Sequence, residues 1–418
     1  MEKEILALII VSISLILISI GRIKQLNISR TAAALLGGLL MIFFGIIPIN
    51  GLFSTVSQNL STILLLVGMM LIGASLEISG FFTYVTSKIM YRSSSAISYF
   101  ISLSIVVALL SALILNDVVV ILITPLVIKI AKAKGYNPVP YALAVIFAAN
   151  IGSAATINGN PQNVLIGTFP SAVSLGISYS YFIEKMAPIA ILSLVGMVIY
   201  MIIFSKLEGQ KKENPKDEIQ TKINPYAITI SLSILTMSII TFFFDSVLSA
   251  SIGVIAFFYG SLALIVVPIV AKKDPDILIK KVDWNIILFF IGLFIILDGV
   301  IRSNMMSLFL VYIPQKSTGN IVVLTSITTI FSTLISNVPS VILLLYMISP
   351  TKINYLTLSA SSTLGGNATF ISAVANIIVL EKAQKEGVKI SFKEFIKYGI
   401  PITLISLCIA TSLLYFGY

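Results

Sequence analysis

The chain has 418 residues, 57% of them hydrophobic and 11% charged, with 27 Lys and Arg against 17 Asp and Glu and no histidine. That apolar excess excludes an ordinary soluble domain and places the chain in lipid. The missing histidine removes the usual zinc ligand and the commonest proton shuttle, so proton chemistry falls to carboxylates. The single cysteine, Cys408, lies in the last apolar segment and excludes a disulfide framework or a thiolate metal cluster.

A bilayer crossing takes roughly 20 apolar residues. Full spans are predicted at 4–21, 31–49, 60–79, 187–205, 226–244, 249–271, 285–301 and 399–416. No small-residue cleavage pattern follows the first, which reads as a retained helix and not a signal peptide. Two further regions, 96–169 and 320–382, are apolar but interrupted by Asn, Gly, Pro and Ser. If each holds one re-entrant hairpin and one broken crossing, the chain crosses about ten times. Charge tests this: only Lys3, Lys185, Arg302, Lys316 and Lys352 fall on one side, and the other 22 basic residues fall on the side this makes cytoplasmic. Both termini are then outside, in a multi-pass protein of the cell membrane. The net charge of +10 is a matter of topology and not a nucleic-acid footprint.

The fold class expected is all-α integral membrane, in two inverted repeats. The first, 1–206, holds a hairpin at 96–134 and a broken helix at 139–169. A polar cytoplasmic linker at 207–224 leads to the second repeat, 225–418, with a hairpin at 320–349 and a broken helix at 354–382. Five crossings per half is an odd number, so the halves are inverted, an arrangement typical of secondary transporters. ANIGSAATINGNPQNVLI (149–166) aligns without a gap on STLGGNATFISAVANIIV (362–379), matching Gly152 to Gly365, Ala155 to Ala368, Thr156 to Thr369 and Asn163 to Asn376. Asn116-Asp117-Val118 likewise matches Ser336-Asn337-Val338, and both are read as hairpin tips near the midplane.

Unwound backbone inside a membrane is tolerated only where protein or a wet cavity surrounds it. The first break supplies Gly for unusual dihedrals and Ser, Thr and Asn to replace lost backbone bonds. Asn160-Pro161 reads as a helix start, with Asn as cap and Pro at the first helical position. Ser336 or Asn337 is expected to cap the half-helix after the second tip. Half-helix N-termini would offer donors to an anion or a hydroxylated solute, while unwound carbonyls suit sodium.

LNDVVVILITP, ANIGSAATINGNPQN, SNVPSVILL and LGGNATFISAVANIIVLEKA resemble the ion transporter superfamily, in its arsenite permease and NhaD-type branch, with divalent-anion/sodium symporters as more distant relatives. The resemblance implies a scaffold domain, a transport domain that moves as an elevator, and a homodimer. It puts the family's sodium-site Gly and Thr on Gly152, Thr156, Gly365 and Thr369. The symporters carry Ser-Asn-Thr at both tips, whereas here the first tip gains an acid and both lose Thr, which weighs against a dicarboxylate.

The candidate substrate-binding set is Asn116, Asp117, Asn160, Asn163, Ser336, Asn337, Asn367 and Asn376. The candidate ion-coupling set is Asp117, Gly152, Ser153, Thr156, Gly365, Gly366 and Thr369. Na+ or H+ is the coupling ion, and no cofactor is expected. Only Glu77, Asp117 and Asp298 among the acids fall within apolar spans. Asp298 precedes Arg302 by one turn and reads as a local ion pair. Glu77 is near the cytoplasmic end of its span and can snorkel.

The leading function is a secondary active transporter of a small anion or hydroxylated oxyanion of the arsenite type. A sodium/proton antiporter and a sodium-coupled symporter of a divalent anion are the alternatives, and a channel shares many of the same features. An intramembrane serine protease lacks its usual His base, and an aspartyl one lacks a Gly-x-Gly-Asp context. No Gly-rich ATP-binding motif occurs, so an ion gradient or a separate subunit supplies the energy.

Overall fold

The computed structural model describes residues 2–20, 29–209, 223–248, 250–305 and 319–417. Most of the expected linker, with Lys211, Lys212, Lys216 and Lys222, lies outside the described residues, as do Arg22, Lys24 and Lys316. The described chain is helical, as its composition requires.

Helix α1 (Glu2–Ile20) and α2 (Arg30–Phe43) open the chain. The span expected at 31–49 stops at Phe43, because Gly45 turns at φ +65° and Pro48 starts a new helix, α3 (Ile49–Gln58). Next comes α4 (Leu60–Ser79), whose limits are those of the apolar run. Gly80, at φ +85°, ends it in the left-handed conformation that glycine adopts most readily, and α5 (Phe81–Arg92) leaves at once. No span is predicted over α5, whose mixed residues form no apolar run.

Helices α6 (Ala96–Leu113) and α7 (Asn116–Lys134) meet at Ile114-Leu115, and α8 (Pro138–Ser153) follows. A single 3-10 turn at Ile157–Gly159 separates α8 from α9 (Pro161–Thr168), after which come α10 (Pro170–Ser174) and the long α11 (Tyr179–Phe204). Helix α11 starts eight residues before the expected span because Ser178 caps it, accepting from the Tyr181 N–H.

The second half holds α12 (Pro225–Phe242), α13 (Asp245–Leu248), α14 (Ile252–Ala271), α15 (Asp276–Lys281) and α16 (Trp284–Arg302). It continues with α17 (Ile321–Ile335), α18 (Asn337–Leu345), α19 (Lys352–Gly365), α20 (Val374–Lys385) and α21 (Phe392–Tyr415). Seven of the described helices, α4, α6, α11, α12, α14, α16 and α21, are long and apolar enough to cross a membrane. Helices α2, α8 and α17 are apolar but only 14, 16 and 15 residues long.

Lipid tails give apolar helices no hydrophobic reason to associate, so close packing at small residues has to hold them. Helix α4 lies on α14 where a Cβ at Gly68 would sit 2.3 Å from the Ala256 carbonyl. Helix α2 meets α16 in the same way, with a Cβ at Gly292 falling 2.6 Å from the Ala34 carbonyl carbon. The polar middle is elsewhere: α8, α9, α18 and α19 pack together, and nearly all of their residues are buried.

Candidate functional site

The two helix breaks lie between these packed helices, and their side chains satisfy the backbone that the breaks leave open. At the first, Asn160 caps α9 as its sequence indicates: its Oδ1 accepts from the Asn163 N–H at 2.8 Å, and Pro161 takes the first helical position. Asn160 Nδ2 donates to the Ser153 carbonyl and hydroxyl. Thr156 and Asn158 reach across to the end of α6, donating to the Ala112 and Leu113 carbonyls at 2.6 and 2.8 Å. Those carbonyls are among the four that a helix C-terminus leaves without partners. Gly152 permits this approach, because a Cβ there would lie 2.1 Å from the Ala108 oxygen.

Asn163 spans the first break. Its Nδ2 donates to the Ser153 and Thr156 carbonyls at 3.1 and 2.9 Å. Asn376 does the same at the second break, donating to the Gly366 and Thr369 carbonyls at 2.7 and 2.8 Å. In the gapless alignment Ser153 stands opposite Gly366 and Thr156 opposite Thr369, so equivalent asparagines grip equivalent carbonyls. Their oxygens cross to the other half. Asn163 Oδ1 accepts from Thr363 at 3.2 Å and from Ser359 at 2.7 Å, while Asn376 Oδ1 accepts from Asn150 at 2.9 Å. Asn150 and Thr363 are again aligned positions.

Asn150 is not among the candidate residues that the sequence marks. It donates to Asn367 as well as Asn376, and its Oδ1 faces the Asn116 amide at 3.4 Å. Gln162, also absent, donates to Thr363 at 3.2 Å. Neither interrupts a helical pattern, so neither carried a break signal. The repeat alignment was the one usable pointer, since Asn150 pairs with the polar Thr363.

The second tip departs from expectation. Neither Ser336 nor Asn337 caps α18 with its side chain, and Ser336 sits at φ +77°. The Asn337 amide turns back instead: its nitrogen faces the Ser372 and Ser362 carbonyls at 2.6 and 3.1 Å, and its oxygen accepts from Gln162 at 3.2 Å. Its backbone N–H donates to the Ser372 carbonyl at 3.0 Å, so the tip is tied to the loop after α19. Gly366 lies against it, where a Cβ would fall 2.8 Å from the Asn337 amide. Gly365 leaves room for ordinary contact with Thr329, and Thr369 bonds to Ser372.

At the first tip α7 begins at Asn116, and Asp117 lies in its first turn, where the helix dipole favours an anion. Asp117 is 8% exposed, and no hydrogen-bond donor reaches its carboxylate among the described residues. It lines a cavity of about 210 Å³ with Leu115, Val118 and Pro161, together with Met70 and Glu77 from α4 and Asp283 at the start of α16. Glu77 pairs with Lys281. The Asp298–Arg302 pair expected from spacing is present at 2.7 Å, and Thr55 also donates to Asp298.

The structure thus brings Asn116, Asn160, Asn163, Asn337, Asn367 and Asn376 into one hydrogen-bonded centre, with Asp117 opening on the cavity beside it. Two atoms of that centre lack hydrogen-bond partners among the described residues, the acceptor Asn116 Oδ1 and the donor Asn367 Nδ2.

Comparison with known proteins agrees with a transporter. A 46 kDa membrane protein of Mycobacterium leprae is 26% identical, over 98% of this chain and 99% of its own. A silicon efflux transporter of Oryza sativa subsp. japonica is 26% identical over 93% of each. The solved YdaH transporter of Alcanivorax borkumensis superposes with a TM-score of 0.60 at 15% identity, over 89% of this chain and 90% of that one, and so shares the fold. The family model described as citrate transporter matches residues 13–354. The chain is therefore a multi-pass, non-enzymatic membrane transporter, and it belongs to the citrate transporter family, within the ion transporter superfamily that its motifs resemble.

Proposed function

We propose that the chain is a secondary active transporter of a small hydroxylated oxyacid or oxyanion of the arsenite type, coupled to a proton or sodium gradient at Asp117. One observation carries this reading: Asp117 is the single charged side chain at either helix break or either tip, and all the other polar groups there are neutral amides and hydroxyls. A doubly negative solute beside a carboxylate that accepts no hydrogen bond from the described residues, in a low-dielectric site, is strongly disfavoured. An uncharged polyhydroxyl such as arsenous or silicic acid suits the amides, since each hydroxyl both donates and accepts. The unpartnered Asn116 Oδ1 and Asn367 Nδ2 are one acceptor and one donor of the kind such a hydroxyl needs. The name of the rice relative, a silicon efflux transporter, supports the same class.

The matching asparagine bridges support the inverted repeat, with its elevator-type movement, and the basic-residue distribution supports a cell-membrane protein with both termini outside. A homodimer is part of the same proposal, on the family resemblance alone.

The carbonyls of Ser153, Thr156, Gly366 and Thr369 are already gripped by asparagine amides. That occupancy favours Asp117 over the break carbonyls as the coupling group. It also keeps a sodium/proton antiporter in view, with Asp117 alone carrying the exchanged ion. Flux of arsenite and silicic acid into proteoliposomes under imposed sodium or proton gradients tests the proposal. The wild type is expected to accumulate one of them under one of the gradients, and Asp117→Asn to lose the gradient dependence. Sodium/proton exchange with no solute flux supports the antiporter, and gradient-driven accumulation by Asp117→Asn overturns the role of Asp117.

A further inference from the structure

We infer that Asp283 is the second carboxylate of the cation site, standing at the cytoplasmic mouth of the Asp117 cavity and forming the cation's port of entry and exit. The inference rests on the assignment of cation coupling to Asp117.

Three observations lead to it. Asp283, which joins α15 to α16 and is exposed, lines the same cavity as Asp117, which is nine-tenths buried and accepts no hydrogen bond from the described residues. Asp283 is only half used by the fold: its side chain caps α16 by accepting from the Asn285 N–H at 3.0 Å, and a carboxylate has lone pairs to spare. The two acids are also close enough to repel each other, while Arg30 at the start of α2 attracts Asp117.

The remaining charged groups around the chamber are Glu77 and Lys281, which neutralise one another. The balance over Asp117, Asp283, Glu77, Lys281 and Arg30 is one uncompensated negative charge. A monovalent cation between Asp117 and Asp283 removes that charge and turns a repulsion into a bridge.

The bridge would join two parts of the fold. Asp117 belongs to the hairpin tip packed on the broken helices, and Asp283 to α16, which packs on α2. Occupancy therefore decides whether the tip can rest against the start of α16, so a cation bound here stabilises the arrangement of tip and α16 seen in this structure. The ion serves equally as Na+ between the two carboxylates or as H+ held on Asp117 and favoured by the Asp283 charge, and the experiment separates the two.

The full-length protein in detergent is melted against NaCl, with choline chloride holding ionic strength constant, and separately against pH from 5 to 9 without sodium. A sodium-dependent rise in Tm identifies Na+, and a rise confined to falling pH identifies H+. Asn caps helices as well as Asp, so Asp283→Asn keeps the start of α16 and removes only the charge. Its sodium midpoint is expected about tenfold higher, or its proton midpoint about one pH unit lower, than wild type. Lys281→Gln, which frees the Glu77 carboxylate beside the port, is expected to shift the midpoint the opposite way. An Asp283→Asn midpoint within twofold of wild type overturns the inference and leaves Asp117 as a lone site. If Asp117→Asn keeps the wild-type cation response, the assignment to Asp117 fails as well.

Discussion

Replacing Asn163 probes how the first break is held. The side chain is fully buried and makes four hydrogen bonds, two from its amide nitrogen to the Ser153 and Thr156 carbonyls and two into its oxygen from Ser359 and Thr363. In Asn163→Ala the Ser153 carbonyl keeps Asn160 as a donor, and Thr363 keeps its bonds from Asn160 and Gln162. The Thr156 carbonyl loses its side-chain donor, and the Ser359 and Thr363 hydroxyl protons lose their acceptor. At about 1–3 kcal/mol for each buried group left unsatisfied, the substitution costs about 3–9 kcal/mol. Asn163→Asp separates shape from chemistry: one carboxylate oxygen still accepts from Ser359 and Thr363, but the other now faces two carbonyl oxygens at about 3 Å. It is expected to be less stable than the alanine variant although it fills the space better. Unfolding by sodium dodecyl sulfate in mixed micelles measures both. An alanine variant within 0.5 kcal/mol of wild type, or an aspartate variant more stable than the alanine one, would refute the account of the break as an amide-held structure.

Two further substitutions follow from packing and charge. Gly152→Ala forces a methyl to within 2.1 Å of the Ala108 oxygen, a backbone atom that cannot turn aside. A loss of about 3 kcal/mol or more is expected, seen as a collapse of monodisperse protein in detergent chromatography, and an unaffected elution profile would contradict the close α6–α8 contact. Arg302→Gln breaks the Asp298 ion pair, but the Arg302 side chain is 38% exposed and Thr55 still donates to Asp298. The same mixed-micelle unfolding is expected to show a change of only about 0–1 kcal/mol, and a larger loss would mean that the pair is shielded from water.

Much of the helix order can be read in the sequence because length and hydropathy set it directly. The limits of α4 coincide with its apolar run, and α12, α14 and α16 fall within three residues of theirs. Short turns were less visible. The α2–α3 corner depends on Gly45 and Pro48, which an apolar window averages away, and α5 has no run to detect.

At the site, the sequence marks which residues are polar in an apolar field but not what each polar atom faces. Asn163 and Asn376 stand out as buried amides, yet whether such an amide meets a solute or a carbonyl of its own chain is a tertiary fact. Asn150 stayed hidden for the converse reason: a helix absorbs one asparagine without breaking, and its role comes from Asn367 and Asn376, more than 200 residues away. Asp283 carried no mark either, being one exposed acid in a polar turn until the fold sets it across a cavity from Asp117.

The paired asparagine bridges bear on how a carrier of this kind discriminates. Each break keeps its shape through the chain's own amides, so the proposed binding centre is preorganised and a solute would not have to order it on arrival. Affinity then depends on how well a rigid outline fits, and solutes that differ by one hydroxyl or one bond length are separated by mismatch and not by adaptation. A proposed centre built in this way would tolerate little drift in residue size, which would make Ser359, Thr363 and Asn150, the partners of Asn163 and Asn376, as much a part of selectivity as any group that touches the solute.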